Sequence, residues 1–422
     1  MNINYELANY KYDMERCVGC KGCVWVDHIY MPNVRFGIRC PSSIYEIFDA
    51  YSSVGRAKIG LGVLEGRLGF SEKLLDVIYK CNLCGACDAG CKRNLDLEPL
   101  SILESLRAKC VAEGNGPLPE HKRVAEQIIK TGNRFGAPRQ NRLEWMPEGM
   151  ISSKADFVYF PGCAASYIDT DIAKATVNIL KIAGRKFTTL GDQDICCGHP
   201  LVDVGLIDQA KKVAEANIQA LKKVGAKTII TSCAECYKTW KVDYPKLFGK
   251  STKDMDYKVV HLSELVDELL ERRVIHFSKD VRMKVTWHDP CHLGRLSEPW
   301  VHWEGEHGKC GLINNPKEYR RGAFGIYFAP RNILNRIEGL EVVEMPRTRE
   351  NTLCCGAGGG AREAFEEYAH YIGKERLEEA ESISVEAIVS GCPYCKENFQ
   401  KAGDGKGLKI YDLSEIILMG LQ

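Results

Sequence analysis

The chain has 422 residues, 45% hydrophobic and 27% charged, enough for roughly two to four domains with cores of their own. Its 57 Lys and Arg against 56 Asp and Glu leave a formal charge of +1, which argues against a general binder of nucleic acid or polyanions. Twenty cysteines demand a reason. The first residues, Met1-Asn-Ile-Asn-Tyr-Glu-Leu7, show neither the basic nor the apolar region of a secretory signal, so metal ligation is favoured over disulfides. No apolar run approaches the about 18 residues that cross a bilayer. The expectation is a cytoplasmic protein with no direct membrane insertion, held at a membrane only through a partner.

After sixteen residues without a strong signal comes Cys17-Val-Gly-Cys20-Lys-Gly-Cys23, with a further cysteine late, at Cys40-Pro41. From Ser42 to Tyr79 the pattern is helical, with Ile44, Ile47, Phe48 and Tyr51 on one face and Leu74, Leu75, Val77 and Ile78 on another. Cys81-Asn-Leu-Cys84-Gly-Ala-Cys87-Asp-Ala-Gly-Cys91 completes this part. Three cysteines in step with a distant fourth resemble the ligand runs of bacterial ferredoxins, in which the fourth cysteine of each run serves the cluster of the other. That resemblance implies Cys17, Cys20, Cys23 and Cys91 on one cubane [4Fe–4S] cluster, and Cys81, Cys84, Cys87 and Cys40 on a second. Zinc is the alternative, but its sites pair two C-x2-C knuckles, whereas both runs here have three cysteines. The long helical insert between the runs is similar to helical two-cluster ferredoxin domains of succinate dehydrogenase and heterodisulfide reductase. Lys92 follows Cys91 where such runs usually carry a proline.

Residues 98–113 read as a helix containing Cys110, and 114–155, rich in Gly, Pro, Arg and Asn, as a linker over the surface. A repeat then begins. Phe157–Phe160, Lys186–Leu190, Thr228–Thr231 and Val259-Val260 read as strands, separated by helices over 170–183, 206–223 and 235–248 and followed by a helix opening at Leu262. The second copy has strands at Val285–Trp287, Glu341–Met345, Ala387–Ser390 and Lys409–Tyr411, and closes on a helix at Leu413. The expected fold is therefore α/β: two repeated small parallel-sheet domains, 156–280 and 281–422, behind an α-helical ferredoxin-like domain over 1–113.

Each copy carries five cysteines in three packets, each packet just after a strand: Cys163, Cys196-Cys197, Cys233 and Cys236, then Cys291, Cys354-Cys355, Cys392 and Cys395. Strand order puts all three packets at the carboxyl edge of the sheet, where open α/β sheets bind ligands. A cube needs four thiolates, and adjacent cysteines do not easily cap two of its corners, so the spacing points to a more open assembly.

At these residues the sequence resembles the CCG domain, which occurs twice in catalytic subunits of heterodisulfide reductases, and with its front end the chain resembles the fused D-type subunit. The resemblance implies a noncubane [4Fe–4S] cluster on each set of five cysteines. The second copy departs from the first in having 62 residues between Cys291 and Cys354, against 32 between Cys163 and Cys196. The extra piece, near 297–323, contains Trp300, His302, Trp303, His307 and Cys310, and is expected to line a channel, to dock a neighbour, or to elaborate the surface.

Gly356-Ala-Gly358-Gly-Gly-Ala361 formally matches a dinucleotide loop, but it follows Cys354-Cys355 and has no counterpart in the first copy, so close backbone approach to a cluster explains it better. His199, His288 and His292 adjoin cluster cysteines, and Cys110 and Cys310 are left over as free thiols. With no flavin, nicotinamide or Walker motif of its own, the chain is expected to be an iron–sulfur electron-transfer subunit of a large anaerobic oxidoreductase complex. The expected partners are a flavin-containing protein like the A-type subunit of heterodisulfide reductase and other redox subunits. Cys20-Lys-Gly-Cys23, Arg35-Phe-Gly-Ile-Arg-Cys40-Pro41 and the insert look similar to the heterodisulfide-reductase-like subunit of class II benzoyl-CoA reductase, which implies electron bifurcation. The alternative is a catalytic subunit cleaving a coenzyme mixed disulfide at two noncubane clusters, with Arg295, Arg347, Arg349 and Arg362 as candidates for holding acidic coenzyme tails.

Overall fold

The computed structural model describes residues 3–27, 31, 34–92, 95–152, 155, 157–308, 312–403, 405 and 407–421; Cys310 lies outside them. The front of the chain is helical, with helices Lys11–Arg16, Pro41–Glu46, Ser53–Leu64, Glu72–Tyr79, Ala86–Cys91 and Pro99–Ala112. Their start signals are readable: Ser52 and Ser71 accept hydrogen bonds from the backbone of Gly55 and Leu74, and Pro41 and Pro99 open their helices. Leu7, Met14, Ala57, Val63, Leu74, Ile78, Ile102 and Leu106 form the core of this unit.

Strands β1 (Phe157–Tyr159), β2 (Phe187–Thr188), β3 (Thr228–Thr231) and β4 (Lys258–His261) form a wholly parallel sheet in the order β2-β1-β3-β4. The second copy repeats it. There β5 (Met283–His288) pairs with β8 (Leu340–Val342) and β9 (Ala387–Ser390), and β9 pairs with β10 (Lys409–Asp412), again all parallel. A two-residue hairpin, β6 (Glu306–His307) with β7 (Ile313–Asn314), stands apart inside the insert. The central strands are apolar runs buried on both faces, such as Ile229-Ile230 and Ala387-Ile-Val389, as parallel strands covered by helices must be. The helix closing each copy packs on a helix of the other: Leu413–Leu421 on Thr170–Ile182, and Leu262–Glu271 on Phe328–Asn335. One continuous hydrophobic core therefore runs through both copies.

The expected strands of both repeats are present with shifted ends: Lys186–Leu190 shortens to Phe187–Thr188, whereas Val259-Val260 and Val285–Trp287 lengthen to Lys258–His261 and Met283–His288. The helix expected over 235–248 is broken into Ala234–Lys238, a π-type turn at Thr239–Asp243, and Tyr244–Phe248, because Pro245 lacks the N–H that would continue the ladder. The stretch 114–155 holds more structure than a surface connection. Pro119–Thr131 is a helix burying His121, Val124, Ala125 and Ile128, and Arg134, Arg142 and Trp145 are buried beyond it.

The insert folds back on the chain's own front unit. His307 stacks on Tyr12 with ring centroids 3.8 Å apart. Lys317 pairs with Glu98, and Arg321 with Asp88. The glycine loop does the same from the other side. Gly359 has φ +68, and a Cβ there would run into the carbonyl of Cys81 and the backbone of Asn82. Gly359→Ala is expected to cost about 2 kcal/mol or more, from a left-handed backbone and a direct clash. Thermal denaturation followed by cluster absorbance checks it; an unchanged midpoint would mean that the two loops are not in contact in solution. No helix among the described residues is long and apolar enough to cross a membrane.

Candidate iron–sulfur sites

The two cysteine runs of the front unit end in two separate cavities. One is lined by Cys17, Cys20, Cys23 and Cys91, together with Val18, Lys21, Leu95 and Pro99. The other is lined by Cys40, Cys81, Cys84 and Cys87, with Arg56 and Asn82. In each, three cysteines come from one loop and the fourth from the other run. Cys23, Cys40 and Cys87 pack together where the two cavities meet. Lys92, standing where a proline was expected, pairs with Asp96 and Glu98 at 3.2 and 2.8 Å and so closes the turn by charge.

In the repeats, all ten cysteines are buried. Cys163 lies on the short helix after β1, Cys196-Cys197 precede the helix His199–Asp203, and Cys233 is the residue before Ala234–Lys238. Cys392 likewise precedes the helix Pro393–Ala402. Gly162, at φ +76, would put a Cβ only 2.7 Å from Cys236 Sγ, so glycine is what lets the first and third packets close on each other. Cys236 Sγ and Cys197 Sγ are 3.6 Å apart. Hydrogen bonds from Cys196 and then Cys236 hold Cys197 down at about 5, and Cys354 and then Cys395 do the same for Cys355, also to about 5. The second cysteine of the adjacent pair is thus the common acceptor of its set in both copies. Buried side-chain donors fix the loops: Asn217 Nδ2 donates to the Cys196 carbonyl at 2.9 Å, the Tyr244 hydroxyl to that of Cys197 at 2.8 Å, and Asn398 Nδ2 to that of Cys355 at 2.6 Å.

The four cysteine sets touch in sequence. The Cys84 thiol lies against that of Cys354, and Cys233 against Cys392 across the two copies, close enough to shift one another's titration. None of the described cysteines forms a disulfide. Burial pushes Cys23 up to about 11 and Cys91 to about 12, so thiolates there need positive charge that the surrounding protein does not supply. Soft thiols converging on one cavity in each set of the front unit fit iron–sulfur clusters.

Histidines and arginines complete the surroundings. His199 and His292 meet edge to face at 4.6 Å, and their rings lie within 4.8 Å of a Glu235 oxygen. Against the penalty of burial, Asp203 and Asp243 hold His199 above its usual range, while burial and the neighbouring His199 hold His292 below it. Burial raises Glu235 to about 7. Arg134 bridges Glu235 and Glu363 and, with Arg362, sits on the Tyr394 ring. Arg142 pairs with Asp194 at 2.6 Å and points Nη1 at Cys163 Sγ, 3.8 Å away. Sequence reasoning passed over Arg134 and Arg142 because they stand in the supposed linker; the basic composition of that stretch was the available signal. Cys110 is buried beside the Tyr79 hydroxyl, away from the other thiols.

The comparisons agree with this geometry. Residues 157–241 and 307–400 match the cysteine-rich (CCG) domain, and residues 13–95 match the 4Fe-4S dicluster domain. The chain is 32% identical over 356 residues to the D subunit of dihydromethanophenazine:CoB–CoM heterodisulfide reductase of Methanosarcina mazei, covering 83% of this chain and 79% of that one. The corresponding D subunit of Methanosarcina barkeri is 31% identical over the same shares. The B subunit of fumarate reductase (CoM/CoB) of Methanothermobacter marburgensis is 31% identical over 346 residues, which cover 81% of this chain and 61% of that one. With two cysteine-rich domains behind a dicluster domain, the chain belongs to the family of heterodisulfide reductase D-type subunits and is an iron–sulfur oxidoreductase subunit.

Proposed function

We propose that the chain carries electrons within a large anaerobic oxidoreductase complex, through two cubane and two noncubane [4Fe–4S] clusters. Cys17, Cys20, Cys23 and Cys91 hold the first cubane, and Cys40, Cys81, Cys84 and Cys87 the second. Cys163, Cys196, Cys197, Cys233 and Cys236 hold one noncubane cluster, and Cys291, Cys354, Cys355, Cys392 and Cys395 the other. When bound, such clusters supply one-electron carriers whose potentials their surroundings grade. The observation that carries the reading is the unbroken contact of the four sets, from Cys23 beside Cys87, through Cys84 on Cys354, to Cys392 on Cys233. The outermost set is also the open one: Cys20 is exposed, and Val18 beside it is 72% exposed. A flavin-containing protein is the partner proposed for that end. Bifurcation in a class II benzoyl-CoA reductase complex is the most specific form of this reading.

The second reading, cleavage of a coenzyme mixed disulfide between the two repeats, draws on the likeness to the D-type subunits and on the contact of Cys233 with Cys392. The state of the arginines favours the first. Arg295 donates to the carbonyls of Cys84, Glu350 and Thr352. Arg347 is paired with Glu379, and Arg362 with Glu397 and Glu363. Arg349 lies at the surface over Phe328. The guanidiniums of Arg295, Arg347 and Arg362 are thus engaged inside the fold instead of facing acidic coenzyme tails.

Iron and acid-labile sulfide should each come to about sixteen per chain, by four clusters of four; zinc in their stead would end the proposal. The complex purified without oxygen should then be assayed with the coenzyme heterodisulfide and with an aromatic acyl-CoA. Turnover of the heterodisulfide by this chain without its partners would select the second reading.

A further inference from the structure

The two five-cysteine sites are built alike but not supported alike. Three residues before the first cysteine, the first copy has Phe160 and the second has His288. Both are fully buried, and each ring meets another aromatic edge to face: Phe160 against Trp240 and His288 against Phe399. Only the second ring is polar. A ring nitrogen of His288 and the Sγ atoms of Cys355 and Cys395 all lie within 4.8 Å of one another.

The tautomer of that ring is fixed. Arg376 Nε lies 3.2 Å from His288 Nδ1, and a guanidinium can only donate, so Nδ1 is the acceptor and Nε2 carries the proton. Arg376 cannot turn away, because its other nitrogens bond the Arg347 carbonyl, Glu379 and Thr352 Oγ1. Nε2 is buried and has no partner among the described residues, although a buried donor almost always has one.

We infer that His288 Nε2–H is the hydrogen-bond donor to the sulfur of the second noncubane centre, and that Arg376 is the positioning residue that keeps it so. A donor to sulfur stabilises the added negative charge of the reduced state and therefore raises the potential. In the first site Arg142 points Nη1 at the sulfur of the first cysteine, Cys163, whereas Arg295, near Cys291 in the second, donates to backbone carbonyls; the imidazole is the donor that the second site has in its place. The second centre, next to the front unit, is thereby easier to reduce than it would be with a phenylalanine at position 288. This rests on the ligand sets proposed above.

The test is a redox titration of the intact chain followed by electron paramagnetic resonance, with iron and sulfide measured alongside. His288→Phe, which copies the first repeat, should lower the reduced-to-oxidised ratio of the second centre about tenfold at a fixed potential, or about 59 mV for one electron. The first centre should not move. His288→Gln, which keeps an N–H, should recover part of the shift. In the unmodified protein, labelling with 15N-histidine should give a nitrogen coupling on the second centre that disappears in His288→Gln. Unchanged potentials at full iron content, or equal shifts of both centres, would overturn the inference. Loss of about a quarter of the iron in both variants would overturn it too, since the histidine would then hold the centre instead of tuning it. Absence of the second centre from the unmodified protein would instead refute the ligand sets.

Discussion

Cys197→Ser is expected to erase the magnetic-resonance signal of the first noncubane centre and to lower iron from about sixteen to about twelve per chain, with both cubane signals retained. Cys197 is the acceptor on which Cys196 and Cys236 converge, and it is the thiol of its set held furthest below the ordinary range. A serine oxygen nearly matches the shape but is a hard, weakly acidic donor, unsuited to a site built for soft thiolate. The fold around it should stand, because Tyr244 bonds the backbone carbonyl and not the side chain. Loss should therefore stay local: the contact between Cys84 and Cys354 lies in other sets and does not involve residue 197. Cys355→Ser should strike the second centre in the same way. If Cys197→Ser removed the cubane signals and left the five-cysteine centre, the partition of ligands would be wrong.

The parts that local pattern can encode were legible. Thr228-Ile-Ile-Thr231 and Ala387-Ile-Val-Ser390 are short β-branched runs followed at once by cysteine, so strand, edge and packet could all be read together. The helix Pro119–Thr131 was missed although His121, Val124, Ala125 and Ile128 fall at helical spacing, because its other positions are almost all polar and its flanks are rich in Gly, Pro and Asn. What could not be read was burial that arises only when distant segments meet. Asn82 stands between two cysteines of one run, and its Nδ2 donates to the Gly356 carbonyl, 274 residues on, at 2.7 Å. The insert could be read as a channel lining, a docking piece or a surface elaboration, and its Lys317 and Arg321 answer Glu98 and Asp88 of the same chain, charges too far away in sequence for any window to pair. Arg107 is the extreme case, a helical arginine that by sequence belongs on a solvated face and is instead wholly buried.

Arg107 should accordingly be the most costly single cation to remove. Its Nη1 donates to the carbonyls of Asp203 and Gly359, each at 2.7 Å, and its Nη2 to those of Ile78, Tyr79 and Cys81, the last at 2.7 Å. One side chain thus ties the front unit to both repeats. Arg107→Ala strands five buried acceptors and empties the space beside Tyr79, for an expected loss of about 3–5 kcal/mol. Arg107→Met refills the volume without donors and should recover only the packing share. Arg107→Lys keeps the charge but cannot span carbonyls on opposite sides, so it should fall between Arg107→Met and the unmodified protein. Because a cluster-bearing chain unfolds irreversibly, the quantity to follow is the rate of cluster bleaching on anoxic heating. The order alanine, methionine, lysine, unmodified, from fastest to slowest, is the expected result. Equal rates for methionine and the unmodified protein would show that the five hydrogen bonds contribute nothing. The same substitution tests the route, since the Cys81 and Gly359 carbonyls that Arg107 joins lie at the junction of the set proposed for the second cubane and the second repeat. At temperatures where Arg107→Met stays folded, reduction of the front unit should therefore reach the repeats more slowly than in the unmodified chain, while the front unit itself is reduced at the same rate.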